Sequence, residues 1–271
     1  LAALCVATGT VAQPAYNYSK LQKEQLGRGV VAIRENPSDV VVSWRYLSSD
    51  PINTSFNVYR NGEKIAEVPH STGTFYRDTY SGNEKAVYTV KPVINGVETG
   101  KLNGNYTLPA NAPSGYIDIP LDRPAEGVTP SGQKYTYSPN DASIGDVDGD
   151  GEYEIILKWD PSNAHDNAHD GYTGNVYFDC YRLTGEKLWR IDLGHNVRAG
   201  AHYTQFMVFD LDGDGKAEVV MKTSDGTKDG KGKIIGDAKA DYREPGITDG
   251  NPHGNTPRNQ GRILTGNEYL T

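Results

Sequence analysis

The chain has 271 residues, long enough for two hydrophobic cores, and its 31 Gly and 15 Pro favour short strands and turns over long helices. No run approaches about eighteen apolar residues, which excludes a complete transmembrane helix, and 18 Tyr, 5 Phe and 3 Trp argue against general disorder. The formal charge is -8 with no basic cluster, which excludes nucleic acid as a partner. Two stretches, Asp146 to Glu154 and Asp210 to Glu218, hold nine acidic residues against one Lys and would repel themselves without a divalent counter-ion.

Leu1 to Ala12 is uncharged and rich in Ala, Val and Leu, and residues 1–26 read as a signal-peptide remnant and leader, with Thr10 and Ala12 flanking Val11 as a cleavage site. An ordinary buried first strand is the other reading. A lipid anchor at Cys5 is disfavoured by the bulky Leu4 before it. Cleavage would leave Cys180 as the sole cysteine, so packing and ions must hold the fold without an intrachain disulfide.

Residues 27–107 form the first domain. Runs at 30–34, 40–47, 54–60, 63–68, 74–79 and 86–93 read as strands, and Asn61-Gly62 and Asn95-Gly96 mark tight hairpin turns between alternating segments. About seven strands in so short a span make a small β-sandwich. With Trp44 in the second strand, Tyr88 in AVYTVKPV and the hairpin FNVYRNGEKIA, it resembles a fibronectin type III module, whose expected role is a structural arm.

A linker-like segment follows, with Pro109, Pro113, Pro120, Pro124 and Pro130, and residues 108–271 form the second domain. SIGDVDGDGEYEIILKW from Ser143 matches MVFDLDGDGKAEVVMKT from Met207 at an offset of 64 residues. Strands at 154–160, 175–183, 186–193 and 204–210 give four per repeat, the signature of a propeller blade. The domain holds only about 2.6 such repeats, fewer than the four to eight that close a ring, so a truncated partial β-propeller is expected. The fold class is therefore all-β, a sandwich followed by part of a calcium-binding propeller.

The repeated motif is D-x-D-G-D-G-x-x-E. Carboxylates at positions one, three and five, a carbonyl at seven and a Glu at nine can wrap one hard cation, while the two Gly allow the tight turn. The first loop offers Asp146, Asp148, Asp150, the Glu152 carbonyl and Glu154; the second offers Asp210, Asp212, Asp214, the Lys216 carbonyl and Glu218. Leu157 and Met221 stand where an EF-hand places its bidentate Glu, so these are not EF-hands. The oxygen-only donor set favours Ca2+, in a role expected to be structural.

Two further constellations stand outside the repeat. DPSNAHDNAHDGYTG from Asp160 is an insertion in which His165 and His169 lie four apart; a helical zinc pair is one reading, and a polar loop lending oxygens to calcium the other. VRAGAHYTQF contains Arg198, His202 and Tyr203, where Arg can clamp a carboxylate and His can move a proton near neutral pH. Arg198 and His202 are the cleft candidates, with a structural His as the competing reading.

The stretch from Tyr137 through GDVDGDG, DPSNAHDNAHDG, VRAGAHYTQF and DLDGDG to SDGTKDG resembles the rhamnogalacturonan lyases of polysaccharide lyase family 11, secreted bacterial pectin-degrading enzymes. The resemblance implies an eight-bladed calcium-studded propeller behind a fibronectin-like domain, a secreted or periplasmic bacterial location, and a protein monomeric when full length. It implies β-elimination at the rhamnose to galacturonate O4 bond of rhamnogalacturonan I, with calcium neutralising the uronate carboxylate. It also places Asn140 and Asp141 at a calcium in the active cleft, while further catalytic positions fall in blades beyond this chain. A calcium-dependent adhesion propeller and a pectin glycoside hydrolase are the alternatives.

Overall fold

The computed structural model describes residues 24–100, 103–248 and 255–271. The proposed leader cleavage site lies outside the described residues. The fold is all-β, with a single 3₁₀ turn at His70–Thr72 and no α-helix among the described residues. Among the described residues, no helix is long and apolar enough to cross a membrane.

The first part contains β1 (Val31–Asn36), β2 (Asp39–Ser43), β3 (Ser55–Arg60), β4 (Glu63–Val68), β5 (Phe75–Thr79), β6 (Ala86–Ile94), β7 (Val97–Glu98) and β8 (Gly104–Leu108). They form one sheet in the order β1-β2-β5 and another in the order β4-β3-β6-β7, with β8 also paired to β6. Alternation sets the inner face: Val40 and Val42 from β2, Phe56 and Val58 from β3, and Ala86, Tyr88 and Val90 from β6 meet in one core. Asn61 and Gly62 have φ of 50° and 86°, and Asn95 and Gly96 53° and 78°, the left-handed pairs that tight hairpins require. The second strand stops at Ser43, short of the expected 47; Trp44 follows it into the core and packs edge-on against Phe56 at 5.4 Å.

The Pro-rich segment is a fastened strap. Gly115 donates its N–H to the Arg34 carbonyl at 2.7 Å, and the Asp122 carboxylate pairs with the Lys187 ammonium. Beyond it lie β9 (Gly127–Val128) and β10 (Lys134–Tyr135), a two-stranded ribbon.

Next come β11 (Tyr137–Gly145), β12 (Glu154–Pro161), β13 (Tyr177–Tyr181) and β14 (Lys187–Asp192), an antiparallel sheet in chain order. A second sheet joins β15 (Phe206–Phe209), β16 (Glu218–Ser224) and β17 (Glu268–Leu270). The repeat is kept in register: Gly145 pairs with Glu154 and Phe209 with Glu218, each pair closing one acidic loop.

The phase of the four-strand unit is shifted from the expected one. It begins with β11, ahead of the acidic loop, and the strand at 206–209 opens the next sheet instead of closing the first. The loop is a hairpin connection, so the chain before it must pair with the chain after it. That strand was hidden because YSPNDASIG carries Pro139, a bulge and mostly exposed residues, and so lacks a period of two. Ile156, Val176, Phe178, Leu193 and Met221 fill a core reaching into both sheets, while Tyr137, Leu157, Trp159 and Tyr181 form a second cluster.

Candidate functional site

The two acidic loops share one hydrogen-bond pattern. Asp146 accepts from the N–H of Gly149 at 2.7 Å and of Gly151 at 2.9 Å, and Asp210 accepts from Gly213 at 2.8 Å and Gly215 at 3.2 Å. Glu154 accepts from Val147 at 3.0 Å and Glu218 from Leu211 at 2.8 Å. Gly149, Gly151, Gly213 and Gly215 all have positive φ, the conformation for which the motif needs glycine.

Among the described residues, two groups of three acids bring an oxygen of each member within 4.8 Å of one another: Asp146, Asp148 and Glu154, and Asp210, Asp212 and Glu218. The Arg182 guanidinium bridges Asp148 and Asp150, the latter at 2.6 Å, and Asp214 caps the Lys216 N–H at 2.9 Å. Burial, reinforced by Asp148, Asp150 and Asp146, pushes the Glu154 carboxyl up to about 7. A buried all-oxygen set of that charge suits a hard divalent cation.

Asn140 and Asp141 lie midway along β11, in the same strand pair that carries the first acidic loop. Pro139 pairs with Trp159 and Ala142 with Leu157, so these two residues bulge opposite Lys158. The bulge brings Asn140 Nδ2 to Asp160 Oδ2 at 2.8 Å and Lys158 Nζ to Asp141 Oδ2 at 2.7 Å. Lys158 is 4% exposed whereas Asp141 is 70% exposed, so a buried cation anchors a carboxylate at the surface. Burial and Asp141 raise the Asp160 carboxyl, against the lowering effect of Lys158. Asp160 is thus the member of this cluster that the spacing did not single out; its signal was its place at the start of the polar insertion. Along β12, Glu154 and Asp160 are separated by about 20 Å at the strand rise per residue.

The insertion between β12 and β13 and the connection between β14 and β15 meet through Arg198, which is 2% exposed. Its guanidinium donates to the carbonyls of His165 at 3.1 Å, Gly171 at 2.7 Å, His169 at 2.8 Å and Gly261. Burial and the nearby Arg262 lower its pKa to about 10. These bonds turn the guanidinium to backbone carbonyls, so Arg198 braces the loops. His202 lies at the surface, 76% exposed, with Nδ1 against Asp166 Oδ2. The zinc reading fails at His165, whose two ring nitrogens face the Asn163 and Gly171 carbonyls at 2.7 and 3.2 Å.

A family model described as rhamnogalacturonan lyase family 11, C-terminal domain, matches residues 116–271. The chain belongs to rhamnogalacturonan lyase family 11. The model of the rhamnogalacturonan I lyases beta-sheet domain matches residues 21–105. The chain is 54% identical over 252 residues to the rhamnogalacturonan endolyase YesW of Bacillus subtilis (strain 168), covering 92% of this chain and 37% of that protein. It is 52% identical over 252 residues to the rhamnogalacturonan exolyase YesX of the same organism, covering 93% of this chain and 38% of that protein. Crystal structures of YesX and YesW each superpose with a TM-score of 0.77, covering 93% of this chain and 38% and 40% of theirs. The chain thus spans little more than a third of the length of these lyase-family relatives.

Proposed function

We propose that this chain serves a polysaccharide lyase that cleaves rhamnogalacturonan I by β-elimination at the bond between rhamnose and O4 of galacturonate. Membership of rhamnogalacturonan lyase family 11 carries the reading, because both named relatives are rhamnogalacturonan lyases. In this reaction the C5 proton leaves to a base, the C4–O4 bond breaks, a C4=C5 double bond forms, and the departing oxygen takes up a proton. Charge neutralisation at the uronate carboxylate, which a bound calcium would supply, makes the C5 proton acidic enough to remove.

The chain's own part in this is positioning. Asn140 fixes the Asp160 carboxylate, and Lys158 holds Asp141 at the surface, so two carboxylates and an amide oxygen are presented at one strand bulge. These residues would hold the ion at the substrate, and the two acidic loops, one in each sheet, would hold structural ions. We read the architecture as a leader at 1–26, a fibronectin type III-like sandwich at 27–107 and part of a propeller at 108–271, in a secreted or periplasmic bacterial protein. Supporting this reading are the facing three- and five-stranded sheets and the four-stranded sheet followed by a repeat in the same register.

The test is to incubate the intact protein with rhamnogalacturonan I and calcium and follow ultraviolet absorbance. Elimination gives rising absorbance from the unsaturated uronate. Tight binding with no rise would favour an adhesion propeller, and saturated products heavier by one water would favour a hydrolase.

A further inference from the structure

We propose that the first acidic loop is an ion-dependent clasp, in which cation binding and seating of the amino-terminal sandwich stabilise each other. The inference rests on reading the acidic loops as calcium sites. Gly27 donates its N–H to the Gly151 carbonyl at 2.5 Å, and the Asp146 N–H donates to Glu24 Oε1 at 3.0 Å. Arg45 donates to the Gly27 carbonyl at 3.2 Å and lays its guanidinium over the Tyr153 ring at 4.5 Å. Both backbones approach closely: a Cβ on Gly27 would meet Glu152 Oε1 at 2.8 Å, and one on Gly151 would meet the Gln25 carbonyl at 3.0 Å.

These contacts fall on the loop itself. Gly151, whose carbonyl receives Gly27, is held in its turn by Asp146 Oδ2, a ligand of the proposed ion. Without a cation, repulsion among Asp146, Asp148 and Glu154 works against that turn, so the seat for Gly27 and the stacking face of Tyr153 loosen together. Conversely, the seated segment helps bury Asp146 and Glu154, which are 0% and 1% exposed, while their counterparts Asp210 and Glu218 in the second loop are only half-buried. The two loops differ at the clasp positions: Glu152 and Tyr153 are replaced by Lys216 and Ala217 in the other copy. A cleft of about 620 Å³, lined by Ile33, Tyr106, Pro113, Tyr153 and Arg182 among others, opens beside the clasp. Seating therefore depends on the few contacts around Gly27 and Arg45 and on the strap.

Coupling of this kind is reciprocal, so it is read from both sides. In calcium titrations of the intact protein with the second loop disabled by Asp212→Ala, Arg45→Ala and Gly27→Val should each weaken first-loop binding about tenfold. Neither substitution replaces an ion ligand. In hydrogen exchange, chelator or Asp148→Asn should speed exchange of the amides at 24–29 about tenfold or more, while Asp214→Asn should leave them unchanged. Calcium binding at the first loop with unaltered affinity in both variants, together with chelator-insensitive exchange, would overturn the clasp while leaving the calcium reading intact. Absence of calcium binding at either loop would overturn both.

Discussion

Buried to 1% exposure, with Asp148, Asp150 and Asp146 for neighbours, the Glu154 carboxyl is pushed up to about 7 from 4.5. Below the ordinary value, folded and unfolded chains both hold this proton and it has no effect on stability. As pH rises from about 4.5 through about 7, the unfolded chain releases a proton that the cation-free loop retains, and stability falls by on the order of 3 kcal/mol. A calcium ion bound in the loop would take the proton's place. The gap between melting temperatures in calcium and in chelator should therefore widen from about pH 5 to about pH 8, by several degrees. Glu154→Gln should flatten it, and a pH-independent gap would contradict the account. The acids of the loops and of the bulge should also separate by phenotype in the intact protein. Asp212→Ala should lower the melting temperature in calcium, with activity following only as the sheet loosens. Asp141→Asn should shift it by no more than about 2 °C and reduce turnover by about a hundredfold or more.

At the scale of the element, the insertion between β12 and β13 is braced by Arg198, beside the Asp170–Arg262 ion pair and the Asn167 bonds to Ile263. Removing the Arg198 fork would take a charged donor from the carbonyls of His165, His169, Gly171 and Gly261 and empty a buried site, so Arg198→Ala should cost about 3 kcal/mol or more. Arg198→Lys should recover little of this, because an ammonium cannot span four acceptors as a planar fork does. Thermal melting with proteolysis of the 160–171 loop checks both variants; recovery of full stability by Lys would refute the brace. β15 poses the opposite case, since Met207 and Phe209, with Leu211 just after, are exposed on it. Such a surface on a sheet element invites association, so light scattering of the isolated 271-residue chain should rise with concentration.

For the whole molecule, two separate cores predict two responses to calcium. In calorimetry, chelator should lower the transition of the part carrying the acidic loops while the core around Val42, Phe56 and Tyr88 keeps its own transition. A single transition unmoved by chelator would defeat this expectation. The chain spans 37% of the length of its endolyase relative. On its own it should release no unsaturated uronate from rhamnogalacturonan I, because elimination depends on groups positioned from several sides of the substrate. A protein spanning the full length of the relatives should release it, and equal activity of the two would show that the bulge cluster is sufficient.

The sequence by itself determined the turns, the acidic loops and the repeat, which depend on neighbouring residues. Asn61-Gly62 and Asn95-Gly96 fix hairpins because their backbones tolerate positive φ, and the paired Asp and Gly of both acidic loops encode one hydrogen-bond pattern twice over. The 64-residue repeat was legible for the same reason, and so was the alternation that buries Val40, Val42 and Val90. Tertiary structure alone decided what depends on distant segments. Spacing could not show that Asn140 reaches Asp160, because a bulge in a strand without alternation brings them together. It could not show that Arg198 is buried among carbonyls from two other loops, since an Arg reads alike in sequence whether it faces substrate or backbone. Nor could it distinguish the first acidic loop from its copy, because the contacts of Gly27 and Arg45 with Gly151 and Tyr153 arise only once more than a hundred residues of intervening chain have folded between them.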